Sequence, residues 1–138
     1  MSNSFILPGT APVCLDSLVT QLSEEISGLP AGAPKMARWK PSLAVQTGAE
    51  VILVVVRDHE AAHSYEECDL ILTVLQGGGF VQLPNGPVDV PAGATIMLPR
   101  GLGHAYYNTA ESDSVLLVSF CPKFLPSIPC FLPPVATE

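Results

Sequence analysis

At 138 residues the chain is long enough to enclose a core and is most simply one domain; 48% hydrophobic against 14% charged residues, with a mean hydropathy of +0.39, exclude disorder by composition. A formal charge of −7, from 13 acidic against 6 basic residues, argues against nucleic acid as a partner, because Lys35, Arg38 and Lys40 form one small basic cluster and a polyanion meets net repulsion elsewhere. No apolar run is long enough to cross a bilayer and the Met-Ser-Asn-Ser start lacks the basic and apolar regions of a secretory leader, so the expectation is a cytoplasmic protein with no membrane partner.

Residues 1–11 read as an irregular arm. From about Pro12, the positions Leu15, Leu18, Val19, Leu22 and Ile26 recur at helical spacing with Gln21, Glu24 and Glu25 on the other side, which predicts an amphipathic helix. Pro12 suits its first turn, and Gly28-Leu29-Pro30 is a stop in which Gly28 takes the left-handed cap. Residues 31–34 are a Gly/Pro linker, and 36–43 read as a strand carrying the one tryptophan, Trp39. The run Val-Ile-Leu-Val-Val-Val at 51–56 shows no polar alternation, as in a strand covered on both faces.

Between that run and a strand at 70–75 lies a polar segment holding His59, His63 and Tyr65 together with Asp58, Glu60, Glu66, Glu67 and Asp69. Gly77 and Gly79 follow the strand, and 80–83 with 88–90 make a hairpin around Pro84-Asn85-Gly86-Pro87. A turn at 91–93, a short strand at 95–98 and a second turn at 99–103 lead to His104, Tyr106 and Asn108, which alternate and so share one face of a strand. After a polar turn at 109–113 comes a Val/Leu-rich strand at 114–120.

The tail interleaves Pro122, Pro126, Pro129, Pro133 and Pro134 with Phe124, Leu125, Ile128, Phe131 and Leu132. Proline bars helix and central strand, while the apolar side chains need a surface to cover, so the tail is expected to lie extended against the rest of the domain or a second copy. Tail and helix together predict a homodimer. Cys14, Cys68, Cys121 and Cys130 have neither close pairing nor zinc-ligand spacing and read as free thiols. Short strands divided by Gly/Pro turns, after a single helix, predict an all-β domain: a small antiparallel β-barrel or jelly roll with one N-terminal α-helix and a Pro-rich C-terminal extension. Its parts are an arm and helix at 1–35, the barrel at 36–121 and the tail at 122–138.

Within 93–108, Gly93, Pro99, Gly101, His104 and Asn108 stand in the spacing glycine, five residues, proline, one, glycine, two, histidine, three, asparagine. All five positions match, and the stretch resembles the second signature motif of the cupin superfamily; the resemblance to small single-domain cupins covers roughly 51–120. Metal-binding members carry a first motif of His-x-His, three or four residues, Glu, six residues, Gly. Counted back from Gly77, its Glu position falls on Leu70 and its two His positions on His63 and Tyr65. The resemblance thus implies a pocket keeping two of four usual ligands, His63 and His104, with leucine and tyrosine in the other two places.

Two functional readings follow from the resemblance. In the first, the barrel holds a small, largely apolar molecule in a pocket lined by Leu70, Leu72 and Tyr106, with His63, Tyr65 and His104 as polar handles able to exchange protons. In the second, the chain is a metal-dependent dioxygenase, lyase or isomerase using Fe, Mn, Zn or Ni on His63, His104 and a carboxylate, a bulge having turned His59, Glu66, Glu67 or Asp69 inward. The five acidic residues flanking His63 predict a negative field at the entrance, favouring a neutral or cationic small molecule.

Overall fold

The computed structural model describes residues 14–39, 44–46, 49–121 and 130–131. The arm at 1–11, Pro12, the end of the predicted 36–43 strand and most of the tail lie outside the described residues. Among those described, no helix is long and apolar enough to cross a membrane.

The helix α1 (Leu15–Ser27) buries Leu22 and Ile26. Its end differs from expectation. Gly28 has φ −92°, so the chain leaves without a left-handed turn. The N–H groups of Gly28 and Leu29 donate instead to the carbonyls of Glu25 and Ile26, a tightened last turn that satisfies those acceptors directly.

The strands β1 (Met36–Arg38), β2 (Ala44–Gln46), β3 (Ala49–Val56), β5 (Asp69–Gln76), β8 (Thr95–Leu98) and β10 (Ser114–Cys121) form one antiparallel sheet in the order β1-β3-β10-β5-β8, with β2 also paired to β3. Trp39 lies just outside β1. A three-stranded sheet, β7-β6-β9, is built from β6 (Gly78–Leu83), β7 (Gly86–Pro91) and β9 (Ala105–Asn108). In a third, two-stranded piece, β4 (His63–Ser64) pairs with β11 (Cys130–Phe131). Of the tail, Cys130 and Phe131 are thus paired beside His63.

Two layers of burial explain why 51–56 shows no polar alternation. Ile52, Val54 and Val56 of β3 face the main core together with Leu116, Val118 and Phe120 of β10 and Val81 and Tyr106 of the smaller sheet. Leu53, Val55 and Val115 face the other way, onto Leu22 and Ile26 of α1. Each fully buried aliphatic side chain contributes about 1.5–3 kcal/mol, so both faces of β3 are apolar from Val51 to Val56, while Glu50 near its start is a buried carboxylate. At the rim of this second layer the Arg57 guanidinium grips Asp113 through Nε (2.9 Å) and Nη2 (3.0 Å), and Ser23 Oγ of α1 donates to the same carboxylate (2.9 Å).

Asn108 closes the turn that follows β9. Its Nδ2 donates to the carbonyls of Arg57 (3.0 Å) and Ser112 (2.9 Å), while Oδ1 accepts from Ala110 N (3.0 Å) and Ser114 Oγ (2.6 Å). Gly79 is required by close approach: a Cβ there would collide with the carbonyl oxygen of Tyr107 on the paired strand. Gly79→Ala is therefore expected to lower stability by about 1–3 kcal/mol, as forced overpacking does. Urea unfolding of the two proteins checks this; an unchanged midpoint would mean that β6 and β9 are not in this register.

Candidate functional site

The site begins with a backbone pairing. His63 and His104 exchange both N–H···O=C bonds, each 2.9 Å, which sets their side chains side by side with ring centroids 4.4 Å apart. Each ring then anchors its Nδ1 on the carbonyl two residues upstream, His63 on Ala61 (2.8 Å) and His104 on Leu102 (3.0 Å). A carbonyl only accepts, so Nδ1 carries the proton in both rings and Nε2 is the basic nitrogen. Tyr65 sets its ring edge against His63 and Phe120, and its carbonyl accepts Gly101 N–H (2.8 Å), tying it to the 99–103 turn.

These side chains line a cavity of about 120 Å³ whose walls are otherwise apolar: Ile52, Val54, Leu70, Leu72, Val118 and Phe120. His63, Tyr65, Leu70, Leu72 and His104 are thus brought together. Tyr106 is not. Its ring is fully buried in the core and its hydroxyl, 2.8 Å from Ser114 Oγ, is engaged there, because a phenol without water needs a protein partner.

The residues considered as substitute ligands point elsewhere. His59 bridges to Tyr107 and stacks on its ring at 5.1 Å, following a side chain that alternates away from Tyr106. Glu66 is exposed and accepts from Ser64 Oγ (3.0 Å); Glu67 is exposed. Asp69 pairs with Arg100 (3.2 Å) on the side of β5 opposite Leu70.

Two groups that the sequence reading did not single out do face the cavity. Glu60 is 7% exposed, lines both this cavity and a larger one of about 510 Å³ beside it, and accepts Tyr106 N–H on Oε1 (3.0 Å). Arg38 stands opposite Val54 in the β1–β3 pairing and so shares its inward direction. Of the five acids expected to set a negative field, only Glu60 lines the cavity. The alternation of β1 was too short to reveal Arg38, and Glu60 sits in irregular chain where alternation gives no direction.

Burial pushes the Glu60 carboxyl up from the usual carboxylate range, with His104 pulling partly the other way. Burial holds His63 and His104 below the ordinary imidazole value, and pushes the Tyr65 phenol up to about 12. The cavity therefore favours neutral imidazoles and a neutral phenol.

No family profile matches the chain. An uncharacterised protein from Aquifex aeolicus is 38% identical over 72 residues, which are 52% of this chain and 59% of that protein, so the match spans about three fifths of the relative's length. KdgF from a Halomonas species superposes with a TM-score of 0.60 at 22% identity, over 72% of this chain and 91% of that one. A cupin-2 domain protein from Shewanella frigidimarina superposes with a TM-score of 0.57 at 14% identity, over 80% and 94%. The chain has the cupin fold.

The resemblance noted in the sequence raises a metal at this place, and the donors that line the cavity are His63, His104 and Glu60. The anchored Nδ1–H groups of His63 and His104 are those of metal-ligating histidines. Tyr65 and Leu70 line the same cavity without offering a ligand of that kind, and among the described residues no three His, Cys, Asp or Glu side chains converge to hold an ion.

The shifts around this cupin cavity predict a pH dependence of opposite signs. Between the ordinary histidine value of 6.5 and the lower folded values of His63 and His104, the unfolded chain binds more protons, so stability falls on acidification. Glu60, raised above its ordinary 4.5, takes its proton first in the folded chain, so acidification through its folded value acts the other way. Glu60→Gln removes that offset and also the carboxylate favouring charged His104. Its stability is expected to fall more steeply than that of the unmodified chain between about pH 7 and about pH 5; urea unfolding across that range with equal slopes would place Glu60 in water.

Proposed function

We propose that this cupin cavity is a metal-independent binding site for one small molecule with a largely apolar body. The observation that carries the reading is the composition of the wall: Tyr65 and Leu70 stand beside His63 and His104 in a cavity otherwise made of aliphatic and aromatic side chains. A buried leucine favours an apolar ligand, and a carboxylate in its place would call for a cation. A cavity of about 120 Å³ fits a body of roughly benzene size, since an apolar cavity of about 150 Å³ takes up benzene. His63, Tyr65 and His104 supply the polar end. With Nδ1–H held by carbonyls, the imidazoles accept a proton or hydrogen bond through Nε2, and the Tyr65 hydroxyl donates one. Binding and proton transfer to or from the ligand both lie within this chemistry.

A metal-dependent enzyme is the second reading, and the carbonyl-anchored histidines are the observation in its favour. Titration separates the two. The unmodified chain is expected to bind Zn²⁺, Mn²⁺ and Fe²⁺ weakly, while Tyr65→His with Leu70→Glu, which restores four ligands, is expected to gain affinity by orders of magnitude and to lose it again with His104→Ala. Without metal, the double variant should be less stable by about 2–5 kcal/mol, a buried leucine having been replaced by a carboxyl. Stoichiometric tight metal in the unmodified chain would reverse the order of the two readings.

A further inference from the structure

Four cationic side chains lie among the described residues, and three are held outside the cavity. Arg57 is paired with Asp113 and Arg100 with Asp69, while Lys35 Nζ donates to the carbonyls of Pro30 (2.7 Å) and Ala33 (2.9 Å). Arg38 is the exception. It is half-buried and lines the cavity, and among the described residues no carboxylate pairs with it and no carbonyl accepts from it. Its direction is fixed by the β1–β3 pairing: Ala37 faces α1 and the outer layer, so Met36 and Arg38 face inward.

A guanidinium removed in part from water and held in no salt bridge is costly, and it is charged at any working pH. Glu60 lines the same cavity and feels the charge of Arg38, but no salt bridge joins the two, it is already engaged with Tyr106 N–H, and burial is the largest influence on it and favours its neutral form. The charge that a ligand meets is therefore Arg38, reversing the expectation of a neutral or cationic ligand drawn from the acidic residues around His63.

We propose that the ligand of this cavity is a small monocarboxylate, its carboxylate paired with Arg38 and its apolar body against Leu70, Leu72, Val118 and Phe120. The proposal rests on the reading of the cavity as a binding site for a small apolar-bodied molecule and adds the chemical class. A planar carboxylate matches the two-pronged donor face of guanidinium. A phosphate ester brings more charge than one guanidinium neutralises, into walls that offer little further compensation. The Tyr65 hydroxyl, its proton held by burial, is a donor within the same cavity for a second oxygen of the ligand.

The test uses benzoate, benzamide and benzylamine as probes of one size and three charges, measured by calorimetry or ligand-observed NMR on the full chain, on Arg38→Gln and on Arg38→Lys. Benzoate is expected to bind the unmodified chain about tenfold or more tighter than benzamide, with benzylamine weakest. Arg38→Gln should bring benzoate down to the level of benzamide without changing benzamide itself, and Arg38→Lys should keep part of the preference. If benzamide binds in the cavity as tightly as benzoate, or Arg38→Gln leaves benzoate unchanged, Arg38 extends to solvent and the carboxylate proposal is overturned while the cavity reading stands. If none of the three probes binds, the cavity reading falls and the proposal with it.

Discussion

The mutual hydrogen bonds of His63 and His104 are the constraint on which the site depends. They are one step of a longer pairing: Asn108 N–H donates to Asp58, Glu60 N–H to Tyr106, and Gly101 N–H to Tyr65, so 58–65 runs antiparallel to 101–108 although only two of its residues count as strand. The bridges on either side of it are out of step, His59 with Tyr107 but His63 with His104, so 60–62 contains one residue more than its partner segment. A bulge of this kind breaks the alternation of faces. It lets Glu60 and His63, three apart, both face the cavity, which a regular strand forbids.

The rest of the fold sets the walls against which that pairing acts. β3 from 51 to 56 and β10 from 115 to 118 are apolar on both faces because α1 covers one and the barrel interior the other. Their inward residues give the cavity two aliphatic sides, and β5, paired to β10 through Leu72 and Val118, adds Leu70 and Leu72. Glu60, His63 and Tyr65 come from 58–65 and His104 from the chain after the 99–103 turn, while Arg38 comes from β1. The sheet walls are otherwise apolar, since strands buried in a sheet tolerate few polar side chains, while irregular chain keeps its own backbone groups satisfied only by pairing locally.

Much of this was legible in the sequence where periodicity and turn chemistry speak together. The spacing from Gly93 to Asn108 and the count back from Gly77 pointed His63, Tyr65, Leu70, Leu72 and His104 into one cavity, and all five line it, because strand alternation fixes a face once a single residue is anchored. Tyr106 shares the inward face of β9 but not the cavity, and nothing in alternation tells how far along a barrel a side chain lies. The bulge anticipated near His63 exists, yet it turns Glu60 inward and leaves Glu66 and Glu67 exposed; which residue a bulge recruits depends on long-range pairing with 101–108. Arg38 was counted only as part of a basic cluster, since three residues of β1 carry no pattern that separates a lining cation from a surface one.

The electrostatics of the cavity follow from the same geometry. Low local dielectric disfavours the charged form of every group that can neutralise itself, and His63, His104, Tyr65 and Glu60 all shift in that direction. Arginine has no neutral form within reach, so when an apolar cavity has one arginine in its lining, all the other titratable groups relax around it and its charge is what remains. Leu70 and Arg38 are then two halves of one arrangement. A glutamate at Leu70 would put a second carboxylate on the cavity beside Glu60 and call for a cation; with a leucine there the fixed positive charge in the lining is Arg38, on the protein.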